Sequence, residues 1–254
     1  MNVQVLGCSG GIGQGLRTTS LLVDGDILID AGTGVGDLTL AQMSTISHVF
    51  LTHAHLDHIA FLPLLLDAVL GKREQPVTVH ALPETIASLK AHIFNGHIWP
   101  DFNQIPTPEQ PLLQYAPITV GDEAEIAGRR IVALPANHSV PAVGYLLGSG
   151  SGSLAFTGDT TSCDEFWQVL NQAGNLRHLI IEVSFTDAEI ALALVSHHYC
   201  PALLLNGLDR LKPRPEVWVT HLKPGEGEAI MQEIDAARHP LVPKALQHGQ
   251  VLNV

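Results

Sequence analysis

His53-Ala54-His55-Leu56-Asp57-His58 packs four potential metal ligands into six residues. Imidazole and carboxylate together suit zinc, manganese or iron better than calcium or magnesium. Val49-Phe50-Leu51-Thr52 before the hexad reads as a buried strand. Ile59 to Leu70 after it reads as an apolar helix closed by Gly71. The ligands are therefore expected on a turn at the carboxyl end of a strand, where a rigid scaffold can aim several side chains at one point.

Working outward, the chain of 254 residues is long enough for one large domain, expected to span 1–254 with a full core. Hydrophobic residues make up 46% and charged residues 15%, the balance of a compact, well-buried enzyme and not of a disordered chain. Neither a signal peptide nor a membrane-length apolar run is recognisable, so no membrane partner is expected. Cys8, Cys163 and Cys200 are scattered, with no C-x-x-C pair, which suits a reducing cytoplasm. The formal charge is −12, with 13 Lys+Arg against 25 Asp+Glu. A protein that grips a long nucleic acid needs a basic face, so a small substrate is expected instead.

Short aliphatic runs at Val3 to Leu6, Thr19 to Val23 and Asp26 to Ile29 read as strands divided by glycine turns. Further strands are expected at Val77 to Ala81, Ile118 to Thr119, Arg130 to Leu134, Ala142 to Leu147, Leu154 to Thr157, Leu179 to Glu182 and Val217 to Thr220. Helices are expected near Pro83 to His92, Cys163 to Gln172, Pro201 to Leu211 and Gly227 to Ala237. This mixture, without strict βαβ alternation, predicts two sheets with helices packed outside, an α/β fold of the α+β type. Gly7 to Gly13 lacks the Lys-Ser/Thr of a phosphate-binding loop and is expected to form a flexible rim. Residues 92–117 concentrate aromatic and proline residues and are expected to form a lid or a dimer contact.

The hexad cannot fill a two-metal site alone. His138, Asp159 and His221 share its context, each a polar ligand just after an apolar strand. At this point the chain resembles the metallo-β-lactamase-fold dinuclear hydrolases in the order and approximate spacing of His53-x-His55-x-Asp57-His58, His138, Gly158-Asp159 and Thr220-His221. The resemblance implies a four-layer αββα sandwich with two divalent metals at the sheet edge, zinc first, with manganese or iron as alternatives. It implies His53, His55 and His138 on one metal, Asp57, His58 and His221 on the other, and Asp159 bridging. Asp30 matches an early aspartate that orients the ligand loop.

Within that fold the chain resembles the class II cyclic-nucleotide phosphodiesterases at Phe94-Asn95-Gly96-His97-Ile98-Trp99-Pro100, Ile181-Glu182-Val183-Ser184-Phe185 and His198-Tyr199-Cys200-Pro201. His197 and Cys200 depart from the usual glycine and hydroxyl residue. The last two segments are also similar to elements of the tRNA 3′-processing endonucleases. The resemblance implies hydrolysis of a small-molecule 3′,5′-cyclic nucleotide, cyclic AMP first, by a homodimer. Glu182 would fix the tautomer of His198 and raise its pKa, so that His198 protonates the leaving alkoxide. Asp57 or Asp159 would orient the nucleophile. Trp99, Phe94 and Asn95 are candidates to line a purine pocket, although Phe94 equally suits core packing. The rivals are a tRNA 3′ endonuclease, a thioester or lactone hydrolase and a non-catalytic metal-binding regulator.

Overall fold

A computed structural model describes residues 1–254. The first half contains β1 (Asn2–Gly7), β2 (Ser20–Val23), β3 (Ile27–Ile29), α1 (Leu40–Thr45), β4 (His48–Phe50), α2 (Leu56–Ile59), α3 (Leu62–Val69), β5 (Val77–Ala81) and α4 (Pro83–Ser88). A small hairpin, β6 (Pro106–Thr107) and β7 (Gln110–Pro111), precedes β8 (Leu113–Pro117). The second half contains β9 (Glu123–Ile126), β10 (Arg129–Pro135), β11 (Val143–Ser149), β12 (Gly152–Phe156), α5 (Asp164–Leu170), β13 (Leu176–Glu182), α6 (Ile190–Ser196) and α7 (Pro201–Leu208). It closes with β14 (Glu216–Thr220), α8 (Gly227–Ala236), β15 (Lys244–Ala245) and β16 (Val251–Asn253).

The strands form two seven-stranded sheets, ordered β16-β1-β2-β3-β4-β5-β8 and β15-β14-β13-β12-β11-β10-β9. Three apolar cores separate four layers. One, with Leu62, Leu65 and Leu66, lies between the first sheet and its helices. A second, with Val5, Ile29, Phe50, Tyr145 and Phe156, fills the space between the sheets. The third, with Trp167, Leu204 and Ile230, lies under the helices of the second sheet. The expected αββα sandwich is therefore present. No single helix is long and apolar enough to cross a membrane.

Direction, not proximity in sequence, places the site. β3, β4 and β5 are parallel, as are β12, β13 and β14. Parallel strands bring their carboxyl ends to one edge, so the loops after β3, β4, β12, β13 and β14 meet there. Tyr145 on the second sheet donates its buried hydroxyl to the Leu51 carbonyl at 2.7 Å, tying the sheets together just beneath the hexad.

The expected continuous helix after the hexad is broken. The Ala60 amide still donates to Leu56, but the Phe61 amide turns to the Ala31 carbonyl at 2.9 Å, and the helix restarts with Pro63 in its first turn. The strand expected at Ile118 to Thr119 lies instead at Leu113–Pro117. Gly148 to Gly152 spans the hairpin turn between β11 and β12.

His80 sits in the first sheet with its ring stacked on Phe50 at 4.1 Å and its Nε2 2.9 Å from His48 Nδ1. Burial first, and His48 second, push its pKa down to about 4 from the ordinary 6.5. The unfolded chain therefore takes up this proton at higher pH than the folded one, and stability is lost as pH falls between those values. Solvent screening of the part-exposed ring reduces the linkage to about 1–2 kcal/mol. His80→Gln is expected to flatten the decline by that amount, measured by urea unfolding at neutral and acid pH. Parallel pH profiles in the two proteins would refute the assignment.

Candidate metal centre

Asp30 directly follows β3 in the left-handed region, φ +58°, fully buried. Its carboxylate accepts from the Thr52 amide (2.8 Å), the Thr52 hydroxyl (2.9 Å) and His58 Nδ1 (2.7 Å). Thr52 Oγ1 in turn lies 3.0 Å from His53 Nδ1. Asp30 thus orients the first and last histidines of the hexad from behind, leaving the Nε2 of each directed away from the strand. Outer carboxylates and hydroxyls of this kind commonly set the tautomer of ligating histidines.

The remaining rings are held in the same way. His138 Nδ1 donates to the His197 carbonyl at 3.1 Å, and His138 Nε2 lies 3.2 Å from His55 Nδ1. His221, also left-handed at φ +61°, has Nδ1 2.8 Å from Ser184 Oγ. Its Nε2 lies 3.1 Å from Asp57 and 3.2 Å from Asp159. Asp159 follows Gly158, whose φ of +59° and whose spacing suit glycine: a Cβ there would stand 2.9 Å from Thr52. The two Asp159 oxygens reach His58 Nε2 at 3.2 Å and His221 Nε2 at 3.2 Å, with His53 Nε2 at 3.8 Å.

Three groups of metal-capable side chains result, of which Glu182, His198 and His221 form one; the other two, ligand sets that share Asp159, are His53, His55, His138 and Asp159, and Asp57, His58, Asp159 and His221. In each group the ligating atoms all lie within 4.8 Å of one another. Their electrostatics suit cations. Burial holds His53 well below its usual pKa and His138 down at about 4, so both present lone pairs. Asp159 stays ionised against its burial because His221 and His58 face it. The His53 Nε2 atom is buried without a hydrogen-bond partner, its nearest Asp159 oxygen being 3.8 Å away. Such orphans are costly in a folded protein. These histidine–aspartate clusters are able to bind metal.

Beside them stands the Glu182–His198 pair, 2.7 Å apart and buried. Burial lowers the His198 pKa, but the facing Glu182 charge and hydrogen bond, with Asp159, outweigh it and raise the ring above its ordinary value. Glu182 Oε1 accepts from the Thr160 amide and His198, while Oε2 accepts from Ser184 Oγ and the Tyr199 amide. Its lone pairs are filled, which makes it a positioning group and a poor metal ligand.

Three contributors escape a sequence search for ligands. Thr52, Ser184 and Thr160 carry no metal-binding chemistry of their own; their only signal is adjacency to Asp30's partner strand, to Glu182 and to Asp159. The Gly7 to Gly13 segment also differs from the flexible rim expected. Ser9 bridges to Thr18 and Leu222, and a Cβ on Gly10 would stand 2.7 Å from His221 Nδ1, so this end of the loop packs against that ring, while Ile12 beyond it is exposed.

Of the candidates to line a purine pocket, Phe94 takes the core-packing alternative. Phe94 is buried in the helix-side core near Phe102, and Trp99 packs against the same core. Asn95 Oδ1 accepts from the His97 and Ile98 amides, both at 2.9 Å, and its Nδ2 donates to Ala91. These side chains build a turn and a core; none has a hydrogen bond to the histidine cluster.

The family model of the beta-lactamase superfamily domain matches residues 26–242. The chain belongs to this superfamily. Among curated relatives, this beta-lactamase superfamily chain is 27% identical to a 3′,5′-cyclic-nucleotide phosphodiesterase of Aliivibrio fischeri, over 76% of this chain and 70% of that one. It is 25% identical to a probable 3′,5′-cyclic-nucleotide phosphodiesterase of Yersinia pestis, over 99% and 85% of the two chains. A ribonuclease Z of Haloarcula marismortui is 31% identical over 58% of this chain and 47% of its own. Among solved structures, unliganded yeast PDE1 superposes with a TM-score of 0.80 at 18% identity, covering 100% and 99% of the two chains. The Bacillus subtilis metallo-beta-lactamase fold protein YhfI gives 0.79 at 20% identity, covering 99% of each. At such identities these superpositions establish the fold, that of the metallo-β-lactamase hydrolases.

Proposed function

We propose that the protein is a dinuclear-metal phosphodiesterase that hydrolyses 3′,5′-cyclic nucleotides, cyclic AMP first, to 5′-monophosphates. The observation that carries this reading is the buried Glu182–His198 pair beside the ligand clusters, 2.7 Å apart. An alkoxide such as O3′ is a poor leaving group and gains most from a positioned proton donor. A thioester, whose thiolate departs without a proton, gains less from such a pair.

His53, His55 and His138 would hold one ion, Asp57, His58 and His221 the second, and Asp159 both. The imidazole-rich set favours zinc, with manganese or iron as alternatives. Bound divalent ions supply Lewis acidity toward phosphoryl oxygens and lower the pKa of water. The chain's own residues do the rest. Glu182 holds the proton on His198 Nδ1, leaving Nε2 to deliver one to the departing oxygen. Asp57, whose side chain is 29% exposed, accepts a hydrogen bond from the attacking water and orients it. Lys223 stands over the Phe185 ring at 5.1 Å without a carboxylate partner, and Phe185 itself packs against His198 at 5.8 Å. That ammonium offers an anionic substrate a landing point on an otherwise acidic molecule. Three free cysteines fit a reducing compartment, the cytoplasm.

A tRNA 3′ endonuclease is the second reading, favoured by the ribonuclease Z relatives. The excess of 25 acidic over 13 basic residues weighs against a long polyanion. Zinc-loaded protein is expected to turn over cyclic AMP and bis-p-nitrophenyl phosphate faster than precursor tRNA or a thioester. Brisk cleavage of precursor tRNA with no cyclic-nucleotide turnover would overturn the proposal.

A further inference from the structure

A buried carboxylate, a hydroxyl and two imidazoles are connected in the same way in each half of the chain. In the first half Asp30 accepts from His58 Nδ1 at 2.7 Å and from the Thr52 hydroxyl at 2.9 Å, and that hydroxyl oxygen lies 3.0 Å from His53 Nδ1. In the second half Glu182 accepts from His198 Nδ1 at 2.7 Å and from the Ser184 hydroxyl at 3.1 Å, and that oxygen lies 2.8 Å from His221 Nδ1. All of these side chains are buried. Asp30 directly follows β3 and Glu182 ends β13, so each carboxylate stands where a strand reaches the metal-capable edge.

The hydrogen bonds of the second unit leave one consistent placement of its protons. A carboxylate only accepts, and both Glu182 oxygens already accept a backbone amide, from Thr160 and Tyr199. The His198 Nδ1 proton therefore points to Oε1, and the single hydroxyl hydrogen of Ser184 points to Oε2. Ser184 is left with lone pairs toward His221 Nδ1, so that nitrogen must carry a proton. In the neutral ring the free lone pair then lies on His221 Nε2, the atom that faces Asp57 and Asp159. We infer that Glu182 positions a metal ligand as well as the proton donor. Through the Ser184 hydroxyl it holds His221 in the ligating tautomer, so the second ligand set and the Glu182–His198 pair form one hydrogen-bonded unit. This inference rests on the two-metal reading above and is independent of the substrate. Ser184 and Glu182 act in it as positioning residues, neither touching the ion.

The test measures zinc affinity by competition with a chromogenic chelator in the wild type, Ser184→Ala, Ser184→Thr, Glu182→Gln and the variant carrying both Ser184→Ala and Glu182→Gln. Ser184→Ala is expected to weaken one of the two bound ions by about 10–100-fold, the usual effect of losing an outer partner of a ligating histidine. Ser184→Thr keeps the hydroxyl and should bind zinc as the wild type does. Glu182→Gln should weaken the same ion, and the loss in the double variant should fall short of the product of the single losses by about 3-fold or more. The carboxylate's attraction for the ions through space is common to both backgrounds and cancels in that comparison. Ser184→Cys, a poor donor of nearly the same size, takes the place of alanine if that variant does not fold. Losses that multiply, or a Ser184→Thr as weak as Ser184→Ala, overturn the inference while leaving the phosphodiesterase reading intact. A wild type that binds fewer than two zinc ions overturns both.

Discussion

Asp159→Asn is expected to strip the protein of bound metal and of activity, by on the order of 10³-fold or more in kcat/KM. The loss of an outer orienting partner alone costs about 10–100-fold in affinity or rate, and Asp159 is no outer partner. Its oxygens face His58 and His221 at 3.2 Å each, and it is the one residue common to both ligand sets. Asparagine matches its volume but removes the negative charge from a buried site, 2% exposed, crowded by three imidazoles. Two cations could not then share the space without repulsion. Metal per chain, measured by atomic emission after desalting, should fall in parallel with turnover of bis-p-nitrophenyl phosphate. A variant that keeps both ions and its rate would remove Asp159 from the bridging position.

His198→Ala is expected to lose about 10²–10⁴-fold in kcat on a substrate with an alkoxide leaving group, the range typical of a general acid. On p-nitrophenolate, which departs without a proton, the loss should be far smaller. The reason is geometric: Glu182 engages Nδ1 at 2.7 Å and lifts the ring's affinity for a proton, so Nε2 is the atom free to deliver it. The ring also lies against His138 and His221, with centroids 5.0 Å and 5.3 Å away. Metal content therefore has to be measured in the same preparation. If the variant loses metal and the two substrates suffer equally, His198 is a ligand and not a proton donor.

The sequence makes the ligands of this centre more legible than its support. A histidine or aspartate just after an apolar run signals itself, and His138, Asp159 and His221 all stand at strand ends as expected. Thr52 and Ser184 have no such signature, because a hydroxyl is informative only once its neighbours are known. Fold legibility follows the same division. β-Branched runs such as Val77–Ala81 declare themselves through local preference. α6, Ile-Ala-Leu-Ala-Leu-Val-Ser, is apolar on every side and shows no helical face to detect. β8 hides among prolines, and α3 starts late because the Phe61 amide is claimed by Ala31 across the fold. Aromatic residues are the most ambiguous: Phe94 suits a binding platform or a core in sequence, and in the structure it fills a core against which Trp99 packs.

The division of the ligands between the halves of the chain also bears on how the protein is made. Four come from the hexad, and the other three arrive from beyond residue 137, the last of them His221. During synthesis the hexad emerges as an open, incomplete chelator, with no partner sheet to close over it. The first ligand set is incomplete until the segments after β10 and β12 have docked, and the second until His221 after β14 has joined them. Capture of metal by these clusters would thus be coupled to union of the two sheets, and the second ligand set stays incomplete until His221 has emerged.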